Sequence, residues 1–153
     1  MMRDNFKEFE KKALFIVLFL IFSNCFSQSV VGNWLVTDEK QKVVTSIISI
    51  QKQGQFYDGK IIKIFETKGV KKVKICQSYT RCKKNKSVLG LTIIQNMVCK
   101  NGDHCDHGRI LDPRDGDLYH ATMRLMHNGN ALRVRGYIFI PLLGKSVVWQ
   151  RMK

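Results

Sequence analysis

The chain has 153 residues, with 26 Lys and Arg against 12 Asp and Glu, which gives a formal net charge of +14. This length predicts one domain, and the longest apolar run, residues 13–22, is too short for a membrane span of about 20 residues. The sequence also lacks G-x-S-x-G, C-x-x-C and H-E-x-x-H, so no nucleophile elbow, redox pair or zinc-protease helix is indicated.

The first 27 residues have the pattern of a secretory signal peptide. Four basic residues form a helix-prone approach, the apolar run follows, and Cys25 and Ser27 are small residues at the −3 and −1 positions of a cleavage after Ser27. We therefore predict an exported protein, periplasmic or extracellular, with residues 1–27 as signal and 28–153 as one barrel domain. An uncleaved anchor is the alternative interpretation.

Cysteine usage agrees with export. Removing the leader leaves an even number of cysteines, which favours disulfides in an exported chain. Three pairings are possible. We favour the two that each bracket a short polar loop, namely Cys76–Cys82 and Cys99–Cys105.

Taken in chain order, the remaining sequence consists of short β-rich runs separated by Gly, Asn and Asp turns. This spacing is typical of an all-β sandwich or barrel, and no long amphipathic helix is indicated. Asn128-Gly129 is the strongest hairpin signal. The predicted strands are 30–37, 43–51, 56–65, 88–99, 109–111, 118–126, 132–139 and 145–152.

The first and last strands indicate closure. Trp34 lies in the first and Arg151 in the last, and they meet only if the sheet rolls up. We therefore predict an all-β fold, a small closed antiparallel barrel of about eight strands. The alternation of side chains along each strand predicts which of them face the interior of the barrel. The residues predicted to line a cavity are Tyr119, Met123, Leu125 and Val134, with Gly136 on the same face.

The opposite face of the seventh strand carries Arg135 and Tyr137. If that face points inward, these two side chains would hold a carboxylate or phosphate head group. If it points outward, they are solvent-facing. The apolar face is the more natural interior, but both side chains are retained as ligand-binding candidates.

Several motifs resemble an exported bacterial family, domain of unknown function 2147. They are Gly32-Asn33-Trp34, Tyr57-Asp58-Gly59-Lys60-Ile61, Gly90-Leu91, Ile110-Leu111-Asp112-Pro113, Leu132 to Tyr137 and Trp149-Gln150-Arg151. The resemblance implies a lipocalin-like, calycin-type barrel with no agreed ligand or catalytic residue. It also implies that Trp34 packs at the barrel floor beneath Arg151, with Trp149 on the same face as that arginine.

Two polar stretches are candidates for other functions. Residues 68–86 contain eight basic residues and no acidic one, a field that would attract anionic lipids or acidic polysaccharides rather than nucleic acid. A solvated loop is the alternative. Residues 101–107 are predicted to form a polar hairpin loop, in which His104 and His107 are weak candidates for metal ligands because Cys105 between them is predicted to pair with Cys99.

These observations predict a non-catalytic protein without a cofactor that binds a small apolar or amphipathic ligand. The alternative is an interaction protein with a filled core, whose basic segment 68–86 docks on anionic envelope polymers or lipids. In either case membrane contact would be limited to an uncleaved leader or to the basic segment.

Overall fold

The computed structural model describes residues 28–66 and 87–153, which form a closed antiparallel barrel of eight strands. Each strand pairs with the next along the chain, and β1 pairs with β8 through Trp34 opposite Arg151. This confirms the predicted all-β barrel. The strands are β1 Gly32–Thr37, β2 Val44–Gln53, β3 Phe56–Ile64, β4 Thr92–Lys100, β5 His104–Leu111, β6 Leu118–Met126, β7 Ala131–Tyr137 and β8 Gly144–Arg151.

Some of the sequence predictions lie outside these residues. The signal segment 1–27 and the basic segment 67–86 are not among the residues described. Within the two described ranges, no helix has the length and apolar character needed to cross a bilayer.

Side-chain alternation explains why β6 and β7 form one wall of the barrel. Met123 lies opposite Val134 and both are buried, whereas the next pair, Arg124 opposite Arg133, is exposed. The turn between these strands contains Asn128 and Gly129 with φ of 52° and 80°. Positive φ is favourable for Asn and Gly, so the hairpin forms at the predicted place.

Strand β5 differs from the prediction. Residues 101–107 were predicted to be a polar loop, but β5 already begins at His104, and the turn is confined to residues 101–103. Cys99 lies directly opposite Cys105 in the ladder, and this pairing extends the hairpin into the polar residues. A register shift between Cys105 and Gly108 accommodates His107, whose φ is 58°.

The two ends of the barrel carry different connections. The closed end holds residues 28–31 and the turns β2–β3, β4–β5 and β6–β7. The open end holds the connections β1–β2, β3–β4, β5–β6 and β7–β8, because antiparallel strands turn alternately at the two ends. We use these two names below.

Inward glycines let large side chains fill the closed half. A Cβ on Gly108 would overlap the sulfur of Met97, and a Cβ on Gly59 would lie 2.9 Å from the Cβ of Ile94. The methionine and isoleucine are fully buried. Small residues therefore face large ones across neighbouring strands, which packs this half of the barrel solidly.

Candidate ligand-binding site

Arg151 and Trp34 form the floor of the barrel. The Arg151 guanidinium carbon lies 4.3 Å from the centroid of the Trp34 ring, and the tryptophan is fully buried. Burial lowers the pKa of Arg151 from its ordinary value. That value is so high that the side chain stays charged, so a cation–π contact is formed.

The same guanidinium connects three parts of the closed end. Its N–H groups donate to the carbonyl oxygens of Ser29, Val31 and Gly129. The arginine fork suits several acceptors in fixed directions. Arg151 therefore ties the chain entering β1 and the β6–β7 turn to the end of β8.

Val30 closes the floor beneath the tryptophan. It is fully buried, and its carbonyl accepts a hydrogen bond from Trp34 Nε1 at 2.9 Å. Its own N–H donates to the carbonyl of Gly102 in the β4–β5 turn. The entering chain is thus a plug across this end.

Trp149 occupies a different place from Trp34. It lies opposite Leu132 and is buried in the core. Its indole Nε1 has no hydrogen-bond acceptor among the described residues. Trp149 therefore contributes apolar packing, and among the two tryptophans Arg151 stacks on Trp34.

The open half of the barrel is apolar but incompletely covered. In the closed half most inward side chains, such as Ile50, Met97 and Leu132, are fully buried. On one strand after another, the inward side chains that lie nearer to the open end are only partly buried. We call this set the mouth: Val36, Ile64, Leu91, Ile110, Tyr119 and Val147.

A shallow depression opens at one edge of the mouth. It has a volume of about 200 Å³ and is lined by Ile64, Glu66, Ser87 and Leu89. Pockets for drug-sized ligands measure about 300–1,000 Å³. This depression alone therefore suits only a part of such a ligand.

The β5–β6 connection fixes Tyr119 at the mouth. The phenol donates to an Asp115 carboxylate oxygen at 2.9 Å, and this hydrogen bond raises the pKa of Tyr119. The other Asp115 oxygen accepts from the N–H of Asp117. The carboxylate is thus engaged within its own turn.

Asp112 and Arg114 stabilise the start of the same turn. Arg114 donates to the Asp112 carboxylate through its backbone N–H and its guanidinium, with Nη2 at 2.6 Å from Oδ2. Burial acts to raise the pKa of Asp112, but the hydrogen bonds and charge of Arg114 outweigh it and lower the pKa. These aspartates therefore hold the loop that carries Tyr119.

The predicted lining residues are distributed along the whole barrel axis. Tyr119 lies at the mouth, whereas Met123 and Val134 are completely buried in the packed half. Leu125 is partly buried near the closed end, beside the β6–β7 turn. Gly136 faces inward, where a Cβ would lie 3.2 Å from a methyl of Ile110.

Arg135 and Tyr137 do not belong to the interior. They alternate with the inward residues of β7 and therefore lie on the outer wall. Tyr137 stacks on exposed His120, with ring centroids 5.5 Å apart. Arg135 donates to Ser146 Oγ and to two carbonyls of the β7–β8 connection. Of the two orientations considered from the sequence, the structure therefore has the outward one, and these side chains form no head-group site inside the barrel.

The structure confirms one of the two predicted disulfides. Cys99 and Cys105 are bonded across the β4–β5 ladder, and Cys105 is fully buried. The bridge joins directly opposed residues beside the packed half. Cys76 and Cys82 lie outside the described residues.

The histidines of β5 are placed on its exposed surface. His104 and His107 are both exposed, and His107 Nε2 lies 3.4 Å from Asp106 Oδ1. Cys105 between them is committed to the disulfide. Residues 28–66 and 87–153 contain no group of three or more potential ligands placed to hold a metal ion.

Most mouth residues were missed by the sequence reasoning. Alternation from Trp34 assigns Val36 to the interior, and alternation from Val134 and its partner assigns Val147 in the same way. The missing information was which end is plugged. Trp34 and Arg151 carry this information, because they mark the plugged end. Inward residues that lie far from this pair along their strands are therefore at the open end.

The chain folds as a small closed barrel whose floor is a tryptophan covered by an arginine, and this fold is lipocalin-like. Protein HP1028 from the human pathogen Helicobacter pylori, described as belonging to the lipocalin family, has a similar fold with a TM-score of 0.65. The two sequences are 17% identical, and the similarity covers 82% of this chain and 84% of that chain. This identity shows a shared fold alone.

The family follows from the sequence match. The family described as "Uncharacterized protein conserved in bacteria (DUF2147)" matches residues 32–151, which extend from β1 to the end of β8. The chain belongs to this family. A comparison with curated proteins found no match.

Proposed function

We propose that this protein is an exported, non-catalytic binding protein that takes the apolar part of a small amphipathic ligand into the mouth. The observation that carries the proposal is the change in exposure along the barrel. Inward side chains are mostly fully buried in the closed half and partly exposed at the mouth, although both sets are almost entirely apolar. A partly exposed apolar concavity gains free energy when a ligand covers it.

The depth of the mouth limits the ligand. Side chains fill the barrel between the closed end and Trp34. A ligand can therefore enter only the part of the barrel that lies between Trp34 and Thr37 along β1. At about 3.3 Å per residue this length is about 10 Å. A short acyl chain or one end of a longer chain fits this depth.

Charge favours an anionic head group for that ligand. Residues 67–86 join β3 to β4 at the open end and carry eight of the chain's 26 basic residues without an acidic one. At the described rim, Lys145 lies 3.7 Å from Glu39, and Arg114 is paired with Asp112. The eight basic residues in the sequence of this segment favour a ligand that carries a carboxylate or phosphate.

Blocking the mouth tests the proposal, with dansyl-labelled undecanoic acid as the probe. Val147→Trp places bulk in the mouth, whereas Val148→Trp places the same bulk on the outer wall, where Val148 is 42% exposed. We expect the first variant to bind about tenfold more weakly or worse, because excluding two methylenes costs about 1.6 kcal/mol. The control should bind as the parent does.

A second blocking variant, Val36→Phe, guards against misfolding of the first, and near-ultraviolet circular dichroism monitors both. No binding by the parent protein, or equal binding by the variants at 147 and 148, would contradict the proposal. Native mass spectrometry of the protein from its own host then identifies the natural ligand.

The alternative function remains an interaction protein with a filled core that docks through residues 68–86 on anionic polymers or lipids. The packed closed half is the observation that favours it. Salt-sensitive binding to an anionic polymer that persists in Val147→Trp would support this alternative. Charge reversal at Lys71, Lys72, Lys83 and Lys84 should then abolish that binding.

A further inference from the structure

The outer wall of β4–β7 carries a line of basic side chains. In the sheet ladder, Lys100 lies opposite His104, His104 lies opposite Arg124, and Arg124 lies opposite Arg133. All four residues are exposed. We call them the cross-strand row. Neither the floor of the barrel nor the mouth proposal assigns a function to this row.

The protein uses its arginines in two different ways. Three of the six in residues 28–66 and 87–153 hold the fold, because their guanidinium groups donate to carboxylate, hydroxyl or carbonyl oxygens: Arg114, Arg135 and Arg151. The side chains of the other three are exposed on the outer wall of β5–β7 and make no hydrogen bond or ion pair within those two ranges: Arg109, Arg124 and Arg133. Their N–H groups are therefore available to an external acceptor.

Folding alone does not account for the two arginines of the row. Directly opposed residues on neighbouring strands have Cβ atoms about 5 Å apart, and like charges in this arrangement are destabilising. Arg124 and Arg133 are such a pair. The acidic residues of the β4–β5 hairpin, Asp103 and Asp106, form no ion pair with either arginine, and Asp106 Oδ1 lies 3.4 Å from His107 instead. An anionic group between the two guanidinium groups would remove the repulsion and accept hydrogen bonds from both.

The length of the row favours a polymer over a single anion. Neighbouring strands are about 4.8 Å apart, so the four members span about 14 Å. A lone carboxylate or phosphate reaches two neighbouring side chains and leaves the others unused. A linear chain with anionic groups on successive units reaches all four, and such repeated contacts raise the total affinity without a pocket.

The curvature of the wall distinguishes among anionic partners. The row crosses three of the eight gaps between strands in the closed barrel, which is more than a third of the circumference. A flat bilayer touches only part of such a line, and duplex DNA, with a persistence length of about 150 base pairs, is too stiff to follow it. Single-stranded nucleic acids are bound by aromatic side chains on which the bases stack, and the row contains no Phe, Tyr or Trp. A flexible acidic polysaccharide meets these conditions.

We propose that the cross-strand row binds a flexible, linear acidic polysaccharide. Arg124 and Arg133 hold one anionic group between their guanidinium groups, and Lys100 and His104 contact the units that follow on one side. Arg109, on the same wall, extends the positive field towards the open end. This inference depends neither on a ligand in the mouth nor on the segment 67–86.

Backbone-amide NMR locates the binding site without any substitution. Short polygalacturonate oligomers are titrated into the full-length protein. We expect concentration-dependent shifts for the amides of Lys100, His104, Arg124 and Arg133. The amide of Ser49, on β2 outside the row, should not shift.

Variants with matched charge measure the contribution of the row. Arg124→Gln with Arg133→Gln should weaken binding to polygalacturonate by about tenfold or more. Lys40→Gln with Lys60→Gln removes the same charge from exposed positions outside the row and should bind nearly as the parent does. The arginine variant should be at least as stable to urea as the parent, because it removes two opposed like charges.

Several results would overturn the proposal: no binding by the parent, shifts confined to residues 67–86, equal weakening in the two charge-matched variants, or a marked loss of stability in the arginine variant. Anionic vesicles and single-stranded DNA serve as competing partners. Tighter binding of either one than of polygalacturonate, lost in the same arginine variant, would assign the row to that partner and contradict the proposal as well.

Discussion

The guanidinium of Arg151 covers the ring of Trp34 at 4.3 Å, and this contact joins the last strand of the barrel to the first. The pair also plugs the closed end, because the arginine binds carbonyls of the entering chain and the tryptophan binds Val30. Closure of the sheet and closure of one end are therefore produced by the same two side chains. The open end has no such plug. Among the described residues, the inward apolar side chains that are partly exposed are concentrated in this half of the barrel.

The first prediction concerns this floor. Arg151→Lys keeps the charge but loses the fork that reaches three carbonyls. We expect the free energy of unfolding to fall by about 1.5–3 kcal/mol. Urea denaturation measures the change. Arg133→Lys, on the exposed face of β7, is the matched control and should change stability by less than about 0.5 kcal/mol. Equal effects of the two variants would refute the role of Arg151.

The second prediction concerns the disulfide. The bonded cysteines are separated by six positions, and a loop of this size gives about 2 kcal/mol in the chain-entropy treatment. We expect Cys99→Ala with Cys105→Ala to lower stability by about that amount or more, because Cys105 is also a core residue. Urea denaturation under non-reducing conditions provides the measurement. An unchanged midpoint in the double variant would show that the bridge adds nothing.

The third prediction concerns packing between β4 and β5. Gly108→Ala forces its new Cβ against the end of the Met97 side chain and places it 2.9 Å from the Gln95 carbonyl. We expect a loss of about 1–3 kcal/mol. Adding Met97→Ala to this variant should relieve part of the clash. The losses of stability caused by the two substitutions should therefore not add. Strict additivity in the double-mutant cycle would contradict the interlocked packing.

The fourth prediction concerns pH. The pKa of Asp112 is lower in the folded state than its ordinary value of 3.8, so its contribution is present above that value and is lost as pH falls through the folded pKa. The Arg114 side of this pair is largely exposed to solvent, which screens the interaction, so the contribution should be below about 1 kcal/mol. Thermal unfolding between pH 6 and pH 3 should show a flatter decline for Asp112→Asn than for the parent. Parallel curves would exclude this linkage.

The sequence was sufficient for the barrel but not for the mouth. Trp34 and Arg151 predicted closure of the sheet because they lie in the first and the last strand of a chain made of β-strands. The alternation of β7 separated Val134 from Arg135 but did not by itself decide which side was inside. The start of β5 was missed because the residues around Cys105 are polar, while the pairing with Cys99 that extends the strand is a property of the folded hairpin.

The position of the mouth required contacts between distant parts of the chain. The plug depends on the hydrogen bond between Val30 and Gly102 and on the approach of Arg151 to Gly129. Neither contact leaves a periodic pattern in the sequence. Without them, Met123 and Tyr119 are equivalent positions on one face, although one is in the packed half and the other at the mouth.

A methyl-detected NMR titration with undecanoic acid tests the central claim most directly, namely that the open half binds an apolar ligand while the closed half is filled. We predict concentration-dependent shifts for the methyl groups of Val36, Ile64, Leu91, Ile110 and Val147. The methyl groups of Ile50 and Leu132 in the packed half, and of Val148 on the outer wall, should stay unchanged. Absence of shifts at the mouth, or shifts confined to the outer wall, would contradict the account.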